Sequence, residues 1–201
     1  ALTRLILFGF GAGVAGSAFW IFAPDLVAAR GGLGSATIAC LWLAVGIAGM
    51  TAAWTSDLAD RIGTPATNAL AMAGIGTGTL LVAAFPGHPA TALAAATIFG
   101  AAFMGLAGLH LVTAVRLLPQ HPARAGMAPF LAIAIGQAAG SPLAGWVIVR
   151  TAYTTAFQLF AALALILAIG SVYFPKPARI SHHASPATAR ARLQSATVGM
   201  S

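Results

Sequence analysis

Six long apolar runs, separated by short turns, fill the chain from residue 5 to residue 174. They cover residues 5–28, 35–54, 66–85, 92–117, 127–149 and 155–174. A hydrocarbon core of about 30 Å needs roughly 20 helical residues, and each run reaches that length. Backbone amides left unpaired in lipid are costly, so apolar runs of this kind are expected to be α-helices. The pattern predicts an all-α membrane protein crossing the bilayer six times. The connections at 30–34, 86–89 and 119–122 are Gly/Pro turns with no room for structure of their own. The apolar pattern stops at Pro175, and the Ala/Ser/Pro/Arg-rich stretch 176–201 is expected to be a disordered, basic cytoplasmic tail near anionic lipid.

Composition sharpens this picture. Hydrophobic residues make up 59% of the chain and charged residues 6%, against about 25% charged in soluble domains. So little polar surface could not cover six such helices in water. The net charge of +7 does not point to nucleic acid, because the basic residues lie between or after the helices and not along one face. Arg4, Arg61, Arg116, Arg124, Lys176, Arg179, Arg190 and Arg192 fall on the side shared by the two termini, while Arg30 and Arg150 fall on the other. By the positive-inside rule both termini are expected in the cytoplasm, as an even number of spans also requires. The absence of an initial Met and a first run too long for a signal peptide suggest that residue 1 is a processing point or a cut within a longer chain.

Small residues recur four apart at Gly9 and Gly13, Gly74 and Gly78, and Gly136 and Gly140. This spacing lets helix backbones approach closely in lipid, whether for static packing or for sliding during a conformational cycle. Cys40, the lone cysteine, excludes an intrachain disulfide and reads as a small apolar filler.

One connection carries a motif. The residues Ser56, Asp57, Leu58, Ala59, Asp60, Arg61, Ile62, Gly63, Thr64 and Pro65 join the second run to the third. Physically this is a capped turn: Asp60 favours the start of the next helix, Gly63 permits a tight bend, and Pro65 suits a first helical turn. The segment also resembles the cytoplasmic loop pattern Gly-x-Leu-Ala-Asp-Arg-x-Gly-Arg-Arg of the major facilitator superfamily, through Leu58, Ala59, Asp60, Arg61 and Gly63. Ser56, Thr64 and Pro65 depart from it. The degenerate form is similar to the copy between the eighth and ninth helices of a twelve-helix transporter. The residues Gly136, Gln137, Gly140, Ser141, Pro142 and Gly145 likewise resemble the Gly-rich, Pro-containing eleventh helix, and 157–175 resembles a final helix.

This resemblance spans about residues 1–175 and implies the carboxy-terminal half of a bacterial sugar- or drug-efflux-type permease of the inner membrane. Such a half is one bundle of two three-helix repeats of inverted topology. It also implies that Asp57, Asp60, Arg61 and Gly63 belong to a cytoplasmic gate, with Asp60 and Arg61 forming a charge latch. The implied partners are a small solute, protons, the lipid bilayer, and either an amino-terminal half or a second copy that completes the cavity.

Several polar or aromatic residues inside the runs are candidates for the solute or proton path. Asp25 is the only acid in a hydrophobic run, close to its non-cytoplasmic end; it could bind a cation, exchange a proton, or be hydrated at the interface. His110 lies deeper, and either bonds a helix carbonyl or contacts solute and protons. Gln137 bonds a neighbouring helix or a polar solute, and Trp20 and Trp42 are candidate path-lining residues. Enzyme readings have little support, since no His-Glu-x-x-His or Cys-x-x-Cys set, phosphate loop or resident cofactor motif is present. Ser17 with His110 could form a protease pair only by geometry, and His182 and His183 are adjacent residues without converging metal ligands. The expectation is secondary transport of a small solute; a non-catalytic membrane scaffold is the alternative.

Overall fold

In a computed structural model, which describes residues 1–176 without the side chains of residues 122–124, seven α-helices follow one another along the chain. They are α1 (Leu2–Ala29), α2 (Ser35–Gly49), α3 (Thr55–Ile62), α4 (Thr64–Ala84), α5 (Pro89–Leu117), α6 (Pro122–Arg150) and α7 (Tyr153–Gly170). A 3-10 segment, Met50–Trp54, joins α2 to α3, so Ser35–Ile62 forms one rod. Six rods in all are long and apolar enough to cross a membrane. The described residues form an all-helical, multi-pass membrane protein. The tail expected beyond Lys176, with its two histidines, lies outside the described residues.

The second rod extends further than the apolar pattern did. Residues 56–62, read from the sequence as part of a connection, form α3, an amphipathic helix with Asp57 in its first turn and Arg61 in its last. That order of charges matches the helix dipole, which favours acids at the start and bases at the end. In the 3-10 segment, the Thr51 hydroxyl donates to the Ala48 carbonyl at 2.7 Å, a local bond that competes with the regular helical ladder. Gly63 then ends α3 with φ 90°, a backbone that a β-carbon disfavours. Pro65 opens α4 in its first turn, where no amide donor is needed.

Helix pairing is uneven. α1 packs chiefly on α6, α2 on α5, and α4 on both α5 and α7. Exchanging the first three rods for the last three carries the α1–α6 pair onto α5–α2 and the α4–α5 pair onto α7–α1, while α4–α7 maps onto itself. Glycine makes the closest of these contacts possible. A β-carbon on Gly13 would strike the Ile133 carbonyl, and one on Gly136 the Phe10 carbonyl, so α1 and α6 touch backbone to backbone. Gly100 does the same for α5 against Val45 of α2. Aromatic rings fill the interior: Phe19 and Phe99 stack at 4.0 Å between centroids and are fully buried.

The first and last parts of the described chain sit at one end of the bundle. Phe8 packs edge-on against Phe174 at 5.4 Å, and the Thr64 hydroxyl donates to the Pro175 carbonyl at 2.8 Å. The turn at Gly31 meets Pro86 at the opposite end. The basic residues therefore divide by end, with Arg4, Arg61, Arg116 and Lys176 against Arg30 and Arg150.

Candidate functional site

Near the middle of α1 and α6 the two helices frame a small pocket of about 260 Å³, lined by Ser17, Trp20, Ile21, Gln137 and Ser141. Its position follows from the glycine contacts, because Gly13, Gly136 and Gly140 fix the register that sets residue 17 opposite residue 140. Two hydroxyls are tied to their own helices: Ser17 donates to the Val14 carbonyl at 2.7 Å and Ser141 to the Gln137 carbonyl at 2.7 Å. Each keeps its oxygen lone pairs as acceptors. Prolines add to this supply. Pro24 and Pro142 lie within their helices and cannot donate to the carbonyls four residues back, those of Trp20 and Ala138.

Trp20 is the fixed wall of the pocket. Its ring stacks on Trp42 at 5.4 Å and 15° and meets the edges of Phe99 and Phe103 at 5.8 and 5.6 Å. Yet its indole Nε1 is buried without a hydrogen-bond partner among the described residues. A buried donor left alone is costly unless something else completes it. Asp25 shares the face of α1 that carries Ser17 and Ile21, in steps of four residues, and is exposed toward the end of that helix. Trp20, Trp42 and Gln137 thus gather at one place, with Asp25 outward along the same stripe.

His110 belongs elsewhere. Its Nε2 lies 2.9 Å from Asn68 Oδ1, Asn68 Nδ2 donates to Ser171 Oγ at 2.8 Å, and Ser171 donates to the Leu167 carbonyl at 2.9 Å. All three side chains are buried. The chain of donors fixes the assignment of the neutral ring. Ser171 uses its one proton on Leu167, so it accepts from Asn68; Asn68 then turns its oxygen to His110, and Nε2 carries the proton. This network ties α5 to α4 and α7. The Ser17–His110 pair is not formed, since each side chain bonds a different group. Neither the bonding of His110 nor the part played by Asn68 was visible in one dimension, although a lone Asn in an apolar run is a signal that polar partners exist nearby.

At the end of the bundle where Phe8 meets Phe174, Asp60 of α3 pairs with Arg116 of α5 through two nitrogens, at 2.8 and 3.3 Å. Asp57 and Arg61 are exposed. The acid that the motif singled out is therefore bridged to a second rod through Arg116. Asp60, Gly63, Arg116 and Lys176 together border a cleft of about 360 Å³.

A larger groove, about 480 Å³ between the second rod, α4 and α5, is apolar apart from threonines and the Trp54 indole. Two of these, Thr51 and Thr67, donate to carbonyls of their own chain segment. With those two hydroxyls committed and Trp54 and Leu70 exposed at its rim, this mostly apolar groove offers little to a polar solute. The smaller α1–α6 pocket is the better candidate site. No protein-family model matches this sequence, and no curated protein matches it either.

Proposed function

We propose that the chain moves a small solute across a bacterial-type inner membrane by alternating access, as the carboxy-terminal type of half of a major facilitator superfamily permease. The observation that carries the reading is the α1–α6 pocket: mid-helix, walled by a caged tryptophan with an uncommitted N–H, and supplied with Gln137 and two hydroxyl oxygens. A volume of about 260 Å³ falls short of the roughly 300–1,000 Å³ of whole ligand sites, as expected of half a cavity completed by an amino-terminal half or a second copy. The exchange of packing partners between the first and last three rods is the pattern that an inverted repeat would produce. Asp60 bridged to Arg116 suits a gate at the cytoplasmic end, where both termini would lie. Gln137 and Trp20 are assigned to the solute, and Asp25 to a charged solute group or a proton at the mouth.

The scaffold alternative requires its glycine faces to be docking surfaces. Gly13, Gly136 and Gly140 instead press against backbone within the bundle, which removes these three from any docking surface. The test is solute entry into proteoliposomes carrying the chain with whatever completes its cavity, using neutral, cationic and anionic small solutes. The reading expects saturable entry of at least one class, lowered about tenfold by Gln137→Ala, a loss worth about 1.4 kcal/mol. The absence of saturable entry for every class would overturn it.

A further inference from the structure

The polar groups lining the α1–α6 pocket are unequal in kind. Ser17 and Ser141 spend their hydroxyl protons on the Val14 and Gln137 carbonyls, so each offers the pocket only oxygen lone pairs. Pro24 leaves the carbonyl of Trp20, another lining residue, without its helical donor. Trp20 Nε1, the one donor of the indole, is buried within the wall. Among the lining residues this leaves the Gln137 amide as the single donor group facing three side-chain oxygens, its own included.

Charge leans the same way. No lining residue is ionisable. Asp25 lies a turn beyond Ile21, on the stripe of α1 that carries Ser17, and is exposed. The basic residue at that end of α6 points elsewhere. Arg150 is roughly half a turn out of phase with Ser141 at about 100° per residue. Its guanidinium sits over the Trp146 ring, 5.1 Å from the centroid. Arg30 lies past the end of α1. An anion would therefore meet one amide donor and an acid at the mouth. A polyol accepts as well as donates, and most of its acceptors would go unmet.

We propose that the pocket takes a small organic cation bearing N–H donors, a guanidinium or primary ammonium group that donates to Ser17 Oγ, Ser141 Oγ and the side-chain oxygen of Gln137. The inference rests on the transport reading above and names its solute. Trp20 supplies the ring type that cations favour most, and Asp25 draws the positive charge to the mouth. Oxygen acceptors are needed because a cation leaving water for a neutral pocket must have its N–H groups satisfied again.

The test compares entry of methylguanidinium, tetramethylammonium, erythritol and methanesulfonate into proteoliposomes carrying the chain with whatever completes its cavity. Methylguanidinium should half-saturate at a concentration about tenfold or more below the others, since a site built for N–H groups rejects analogues that lack them. Tetramethylammonium has the charge without the N–H groups and so isolates the hydrogen bonds. Ser141→Ala should raise half-saturation for methylguanidinium about fivefold, the worth of one hydrogen bond, and leave tetramethylammonium within about twofold. Asp25→Asn should raise it for both cations and not for erythritol. Erythritol or methanesulfonate entering as readily as methylguanidinium, or tetramethylammonium matching it, would overturn the cation assignment and leave the transport reading standing. No saturable entry of any of the four would overturn both.

Discussion

The α1–α6 crossing and the α4–α5–α7 junction are made from equally apolar helices but use their polar groups in opposite ways. At the junction, Asn68, His110 and Ser171 satisfy one another in sequence, and the result is a buried link across three helices. At the crossing, glycine brings the backbones together and Ser17 and Ser141 turn back to their own carbonyls. Gln137 and the Trp20 side chain then line a pocket, with the Trp20 N–H buried behind it. Satisfied groups hold a bundle together; uncommitted groups beside a pocket are the ones that can meet a ligand.

Four substitutions would break or sharpen this contrast. The largest effect should come from Gly13→Leu, since even a β-carbon there meets the Ile133 carbonyl. Overpacking of this kind costs about 3 kcal/mol or more when backbone is the obstacle, and loss of a monodisperse peak in detergent is the expected readout. Asn68→Ala should come next. It leaves the His110 Nε2 proton without its acceptor and Ser171 Oγ without its donor, at a cost of about 1–3 kcal/mol for buried groups in water-soluble proteins. The figure falls toward 1 kcal/mol in a bilayer, where the unfolded helices also find partners. A lowered melting temperature checks it, and an unchanged one would show the network to be idle.

Gln137→Ala is the converse. It should leave melting within about 0.5 kcal/mol of the parent while lowering solute entry about tenfold, so the two variants separate structural from functional polar groups. The smallest effect belongs to Asp60→Asn. With Asp60 56% and Arg116 21% exposed at the side chain, the pair should contribute under about 1 kcal/mol and weaken with salt. Thermal melting at low and high salt would register it, and a salt-independent loss would argue for a buried role instead.

Legibility differed between these regions for a physical reason. Gly13, Gly136 and Gly140 announce close helix contact by their spacing, but spacing does not name the partner, and only the packing joined them. Asp60 stood out within its motif, yet its partner Arg116 is 56 residues away. His110 and Asn68 are 42 residues apart, on different rods, so their bond depends on how two helices are rotated about their axes. Residues 56–62 looked like a connection because they are polar. They are helical because a rod leaving the apolar layer can continue as an amphipathic turn until Gly63 ends it.

What the amino-acid order determined by itself is the number and helical nature of the six spans, because a bilayer accepts only long apolar segments whose backbones bond internally. Tertiary structure alone decided which polar groups would be paired and which left at a pocket. Helix faces meet according to packing at glycine and aromatic contacts, and a hydrogen bond reaching only about 3 Å depends on that alignment in space, not on distance along the chain.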